Sequence, residues 1–182
     1  MNIIAITGPA GAGKSTLANE LKRQLEAKGQ TVAVIPFAEP LKKLCAHYGW
    51  NGEKDEAGRR LLQKVGAAFR EYDVDTWAKA WAKSVNAQHA DVILCDDIRY
   101  KNEVDKIYEM GGEIIEVERS GYDYTHGHCS ETGEAAKWTS GRIQLDAPAG
   151  SAEYKAVVAD FVGNFDFAMN FAKAINNLPK TP

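Results

Sequence analysis

The sequence predicts an α/β fold in which helices flank a five-stranded parallel sheet, and three observations predict it. Short apolar runs alternate with amphipathic helical stretches, the pattern of strand–helix–strand crossovers. The first apolar run ends in a glycine-rich turn that opens a helix, Gly8-Pro-Ala-Gly-Ala-Gly13-Lys14-Ser15. The third ends in two aspartates, Asp96 and Asp97.

Taken in order, Asn2 to Thr7 (NIIAIT) reads as a buried strand. A helix over Lys14 to Lys28 follows, with Leu17, Ala18, Leu21 and Leu25 on one face and Gly29 as its stop. Thr31 to Pro36 is a second strand. From Glu39 to about Gln88 the periodicity is helical throughout, in three pieces. Leu41, Leu44 and Cys45 mark the first, and Ala57, Leu61, Leu62, Val65, Ala68 and Phe69 the second. Val74, Trp77, Ala78, Trp81 and Val85 mark the third. Asp91 to Cys95 is a third strand, Lys101 to Met110 a helix closed by Gly111 and Gly112, and Glu113 to Glu118 a fourth strand. Ser120 to Thr139 is irregular, Arg142 to Leu145 a short fifth strand, and Ser151 to about Ala174 a long amphipathic helix. The helical insert at 37–88 and the loop at 120–141 are excursions from a core formed by 1–36, 89–119 and 142–175.

Composition narrows the class of partner. The chain has 182 residues, a one-domain length that buries roughly 70% of its unfolded surface without disulfide or metal. Lys plus Arg number 22 against 25 for Asp plus Glu, and a net charge of −3 argues against a general nucleic-acid or anionic-membrane binder. Three cysteines, Cys45, Cys95 and Cys129, form no disulfide framework, and no apolar run approaches a membrane span. The expected location is the cytoplasm.

The turn at 8–15 matches G-x-x-x-x-G-K-[ST] at every fixed position and lies between a strand and a helix, where its mechanism requires it. Gly11, Ala12 and Gly13 turn backbone N–H groups around a phosphate, Lys14 reaches the β- and γ-phosphates, and the Ser15 hydroxyl is a Mg²⁺ ligand, with Thr16 next in line. By itself this turn points to a nucleotide phosphate and to no particular reaction. In a parallel sheet the ligand lies beyond the carboxyl ends of the strands. The loops at 8–15, 37–40, 96–103 and 119–142 then share one rim.

A carboxylate at the end of the third strand is the expected second anchor of the Mg²⁺ shell. Alternate residues of a strand face opposite sides, so either Asp96 or Asp97 fits and the other becomes a cap or surface charge. Arg99 points at the same rim, to neutralise a phosphoryl group in flight or to pair with Glu103 or Asp97. With Leu61, Val65 and Ala68 facing inward, Arg59, Gln63, Gly66 and Arg70 share another helix face where bare backbone at Gly66 would admit an anion. Arg60 follows Glu56 by four residues, the spacing of an exposed ion pair. Trp77 and Trp81 form a stripe that is either core or, at Trp77, a stacking wall for a base. In the loop, His126, His128, Cys129 and Glu131 lack the spacing of a zinc site, and a lid over the phosphates is the better reading. Arg119 and Arg142 at its two ends are candidate cationic fingers or strand-end surface charges.

The segments GPAGAGKST, FAEPLK (37–42), GRRLLQKVG (58–66), REYDVDTW (70–77), DIRYKNE (97–103) and HCSE (128–131) resemble the phage-type deoxynucleoside monophosphate kinases, from Met1 to about Glu131. The resemblance implies a P-loop kinase fold whose insert binds the nucleoside monophosphate (NMP) and whose 120–141 loop is the lid. It implies transfer of the ATP γ-phosphoryl to a dNMP with Mg²⁺ as cofactor. By position, Lys14, Ser15 and Thr16 would hold ATP and Mg²⁺, while Asp97, Arg99 and Glu103 form a central constellation with Asp97 on the Mg²⁺ side. Glu39, Arg59, Arg60, Arg70 and Trp77 would serve the acceptor, and Arg119, His128, Glu131 and Arg142 the lid. The rival readings are another small-molecule P-loop kinase, for a dephospho-coenzyme, a sugar acid or a ribonucleotide, and a non-catalytic nucleotide-binding regulator. A switch would carry N-K-x-D and a strand-end D-x-x-G; the first is missing, and the matches to the second, at Asp55 and Asp160, fall in helical stretches. The apolar face of the last helix packs either on the core or partly on a second subunit, which makes a homodimer a candidate arrangement.

Overall fold

The computed structural model describes residues 1–123 and 133–176. Among these residues, five strands, β1 (Asn2–Thr7), β2 (Val32–Val34), β3 (Val92–Cys95), β4 (Glu113–Glu118) and β5 (Gly141–Gln144), are joined and followed by six α-helices, three of them in succession between β2 and β3. These are α1 (Lys14–Ala27), α2 (Glu39–His47), α3 (Glu56–Tyr72), α4 (Thr76–Asn86), α5 (Lys101–Glu109) and α6 (Ala152–Asn176). The strands form one sheet in the order β2-β3-β1-β4-β5, and every pairing is parallel. The central strand β1 therefore delivers its glycine turn between the carboxyl ends of β3 and β4.

The period-2 alternation of the strands sorts the core into two layers. Ile4, Ile6, Val92, Leu94, Ile115 and Val117 pack against Leu17 and Leu21 of α1 and against Tyr154, Val158 and Val162 of α6. Ile3, Ala5, Ile93, Cys95 and Ile114 pack on the other face against Trp81 and Val85 of α4 and Val104 and Ile107 of α5. A third, smaller cluster joins Leu41 and Cys45 of α2 to Trp77, with Leu62 and Val65 of α3 against it. No helix among the described residues is long and apolar enough to cross a membrane.

The helices and strands fall where periodicity puts them, with three differences. Strand β2 is shorter than Thr31–Pro36, and Ile35 beyond it remains tied to β3 through its amide, 2.8 Å from the Leu94 carbonyl. Helix α3 is rotated from the expected orientation: Leu61 and Ala68 are exposed, whereas Gly58 and Gly66 are buried. The cause is close approach. A Cβ on Gly66 would stand 3.2 Å from Leu41 Cδ2, and one on Gly58 only 2.1 Å from the Glu53 carbonyl oxygen. Within the segment expected to be irregular, Ala135–Trp138 forms a 3-10 turn.

Candidate nucleotide-binding site

Gly8 and Gly13 shape the turn after β1. Gly8 has φ 144° and lies so close to β4 that a Cβ there would stand 2.7 Å from the Val117 oxygen. Gly13, with φ 102°, is the left-handed residue from which α1 starts. Lys14, the first residue of α1, folds its ammonium back onto the loop, donating to the carbonyls of Gly8 (2.8 Å) and Pro9 (2.7 Å). Ser15 and Thr16 are exposed at the same helix N-terminus, where the backbone N–H groups and helix dipole favour an anion.

The two aspartates after β3 divide between the sheet faces. Asp96 continues the phase of Val92 and Leu94, the α1 side, and its Oδ2 accepts the Ser15 hydroxyl at 2.5 Å. Asp97 continues the phase of Ile93 and Cys95. Its carboxylate accepts the amides of Phe37 (2.7 Å) and Ala38 (3.0 Å), where the chain leaves β2 for α2. Burial pushes the Asp97 carboxyl above its ordinary range, opposed by these two amides. The structure therefore corrects the placement of Asp97: Asp96 stands at the Ser15 hydroxyl, and Asp97 fastens the start of the helical stretch to the sheet. The parity of the apolar residues in β1 and β3 carries this signal, once α1 is known to cover the side of Ile4 and Ile6.

Glu103, in the first turn of α5, is buried. Its Oε2 accepts the amides of Arg99 (2.8 Å) and Tyr100 (3.1 Å), and its Oε1 lies 3.8 Å from Arg70 Nη2. The Arg70 guanidinium covers the Tyr100 ring at 4.1 Å. Burial pushes Glu103 up to about 7, with the Arg99 amide pulling the other way and Asp97 adding to the rise. The structure thus brings Arg70, Tyr100, Glu103 and the backbone amide of Arg99 together; the contact of Arg70 with Tyr100 left no sequence signal beyond aromatic type.

Other expected site residues lie differently. Arg59 is exposed and donates Nε to the Lys54 carbonyl at 2.8 Å, and Arg60 Nη1 lies 4.0 Å from Glu56 Oε1, the i,i+4 pair its spacing suggests. Glu39 pairs with Lys43 at 2.8 Å. Gly66 is a packing glycine whose carbonyl accepts Trp77 Nε1 at 3.1 Å, so it offers no open backbone to an anion. Trp77 is 5% exposed and packed against Phe69 at 5.2 Å, which places it in the core of the helical stretch rather than as an open stacking wall. Arg142 sits on β5 opposite Glu116, bound by Glu116 (3.1 Å) and Glu118 (3.3 Å), and is a cross-strand pair rather than a lid finger. Arg119 is at the phosphate loop: Nη1 would stand 3.8 Å from a Cβ on Gly13, and its guanidinium is 5.7 Å from the Tyr122 ring. Tyr122 itself rests on Gly11, close enough that a Cβ there would be 2.8 Å from Cε1, a contact the sequence did not announce. Both border a cleft of about 310 Å³ lined by Pro9, residues 116–123 and Gln144. His128 and Glu131 lie outside the described residues.

Ser15 and Asp96 present two hard oxygen donors side by side, a set that fits Mg²⁺, which takes one or two protein oxygens and completes its shell with phosphate and water. No cluster of three or more His, Cys, Asp or Glu among the described residues could hold a metal by itself.

Comparisons with known proteins bear on the family and the fold. A family model described as an AAA domain matches residues 4–119, more than half of the chain. A protein of Acanthamoeba polyphaga mimivirus named "Putative deoxynucleotide monophosphate kinase" is 27% identical over 161 residues, covering 72% of this chain and 81% of its own length. "Probable thymidylate kinase 1" of Saccharolobus solfataricus is 37% identical over 97 residues, which are 52% of this chain and 44% of that protein. Among solved structures, shikimate kinase from Aquifex aeolicus is similar with a TM-score of 0.55 at 16% identity, over 91% of this chain and 96% of that one, a likeness of fold. The phosphate loop after β1, the strand order and the matched family model converge: the chain belongs to the AAA domain family and carries the P-loop kinase fold.

Proposed function

We propose that the protein transfers the γ-phosphoryl group of ATP to a deoxynucleoside 5′-monophosphate, releasing ADP and the diphosphate for DNA precursor supply, as the cytoplasmic enzyme of a phage or similar virus. The observation that carries this reading is the two-sided end of β3. Asp96 addresses Ser15 and the donor side, while Asp97 addresses Phe37 and Ala38 and through them the helical insert 37–88. The resemblance of GRRLLQKVG and DIRYKNE to the dNMP kinases, and the printed name of the mimivirus relative, support the acceptor.

In this mechanism an acceptor phosphate oxygen forms the new bond to the γ-phosphorus as the bond to the β-bridging oxygen breaks. The acceptor phosphate has a second pKa of about 6 and is largely dianionic at neutral pH, so no strong general base is needed. The protein's work is alignment and charge compensation. Lys14 exchanges the Gly8 and Pro9 carbonyls for phosphate oxygens, and the amides of the loop and of the α1 N-terminus hold the β-phosphate. Ser15 and Asp96 would hold Mg²⁺, which when bound offsets charge on the β- and γ-oxygens. Arg99 and Arg70 meet the acceptor phosphate, and Arg119 with Tyr122 borders the donor cleft. Residues 120–141 serve as the lid, while Tyr154, Val158 and Val162 of α6 pack on the sheet of the same chain rather than on a second subunit.

The test is coupled ADP release with ATP, Mg²⁺ and each of the four common dNMPs, beside AMP and GMP. Turnover with two or more dNMPs and little with ribonucleotides supports the reading. Turnover only with AMP or GMP, or silence on the whole panel with ATP still bound, moves the protein to another small-molecule kinase.

A further inference from the structure

We propose that Glu103 is a positioning residue for the acceptor phosphate: it fastens Arg70 of the helical insert to the Arg99–Tyr100 backbone, so that the Arg70 guanidinium is ordered before the phosphate arrives. The inference rests on the nucleotide-acceptor reading above and reassigns Glu103 from substrate contact to support.

Three elements that are distant in the chain meet at this carboxylate. Arg70 is in the last turn of α3, Arg99 and Tyr100 follow β3, and Glu103 is in the first turn of α5. Both carboxylate oxygens are engaged, Oε2 by two amides and Oε1 by the Arg70 guanidinium, and only 5% of the side chain is exposed. A ligand has no open face of Glu103 to meet. Arg70, by contrast, keeps 26% of its side chain exposed and is held from a second direction by the Tyr100 ring. An arginine side chain carries about 2 kcal/mol of rotamer entropy. Ordering it before the substrate arrives removes that cost from binding.

The arrangement stands on more than the ion pair. Asn102 Nδ2 donates to the Val74 carbonyl (2.8 Å) and to Asp75 Oδ1 (3.2 Å), joining α5 to the corner between α3 and α4 independently of Glu103. Loss of the Glu103 charge therefore frees Arg70 without separating the helices. The groups that face Glu103 are Arg70 from α3, the Cys95 thiol at the end of β3, and Asp97 with the Arg99 and Tyr100 amides from the chain after it. Burial and Asp97 favour its neutral form, and the cation and amides its ionised form.

The test is steady-state kinetics on wild type, E103Q, R70M and the double variant, with dNMP varied at saturating ATP and then ATP varied at saturating dNMP. E103Q is expected to raise the dNMP KM by about fivefold or more and to keep the ATP KM within about twofold. The double variant should be no worse than R70M alone, because Glu103 acts through Arg70. An unchanged dNMP KM in E103Q, or a double effect equal to the product of the two single effects, overturns the proposal. Should E103Q fail to fold, R70M carries the test, since it leaves the carboxylate its two amides; an unaffected dNMP KM in R70M overturns the proposal equally. Wild-type turnover on dNMPs with indifferent variants removes the positioning role alone. A wild type silent on every dNMP removes the acceptor reading and this inference with it.

Discussion

Asp96 and Asp97 are adjacent in the chain and serve opposite faces of the sheet, Asp96 accepting the Ser15 hydroxyl at 2.5 Å and Asp97 the Phe37 amide at 2.7 Å. A strand ending in two carboxylates thus joins the phosphate loop on one side and the root of the helical insert on the other.

The two asparagine variants should therefore differ in kind. D96N is expected to lower kcat by about 100-fold or more and to leave the melting temperature nearly unchanged, because its partner is an exposed hydroxyl. D97N replaces one of two buried carboxylate oxygens by an amide nitrogen that cannot accept, leaving the Phe37 or Ala38 amide without its partner, and should cost about 1–3 kcal/mol of stability. Thermal melts beside initial rates check this; equal effects on kcat and stability in both variants would count against the division of roles.

Trp77 is predicted to act through packing. W77A should cost about 3–5 kcal/mol by urea unfolding, because the ring fills the cluster of Leu41 and Cys45 and its Nε1 is bonded to Gly66. W77F should retain the ranking of dNMP substrates. A changed ranking at unchanged stability would show that the ring faces the base.

Gly58 offers a test of the packing of α3 against the segment 48–55 that leads into it. Replacing an interior helical glycine by alanine ordinarily stabilises by about 1 kcal/mol. Here the new Cβ would stand 2.1 Å from the Glu53 oxygen and 2.9 Å from Trp50 Nε1, so G58A should destabilise by about 2 kcal/mol or more. A stabilised G58A in chemical denaturation would refute the close approach.

Much of this architecture was legible in the sequence. The alternation of apolar runs and helices located every strand and α-helix among the described residues, because a sheet buried on both faces needs continuous apolar strands and its crossovers need amphipathic helices. The phosphate loop was legible because its mechanism demands glycines and a lysine at set spacing. Less was legible where function depends on the rotation of a helix or on parity. The apolar residues of α3 permit more than one inward face, and the choice fell to Gly58 and Gly66, whose missing side chains allow an approach that no periodicity records. Asp96 and Asp97 could be told apart only after α1 was placed on the Ile4 and Ile6 face. Arg142 looked like a free strand-end cation until the β4–β5 register set it opposite Glu116.

Glu103 should give stability a pH dependence of defined sign. Its carboxyl is pushed up from 4.5 to about 7 in the folded protein, so between those values the native state holds a proton that the unfolded chain has released. The contribution of this group is therefore fully present below about 4.5 and is lost as pH rises through about 7. E103Q, which cannot ionise, should gain stability relative to wild type between pH 5 and 8, by on the order of 3 kcal/mol. Melting curves of the two proteins across that range provide the check, and a difference independent of pH would contradict the buried, raised carboxyl.

The most direct measurement of the central claim follows the phosphoryl group itself. ATP labelled at the γ-phosphorus is incubated with Mg²⁺, each dNMP and either wild type or K14A, and the products are separated by chromatography. The account predicts label in the β-position of a deoxynucleoside diphosphate with wild type, and loss of that product with a still-folded K14A. Retention of all label in ATP by a wild type that binds ATP, or undiminished diphosphate formation by K14A, would contradict it.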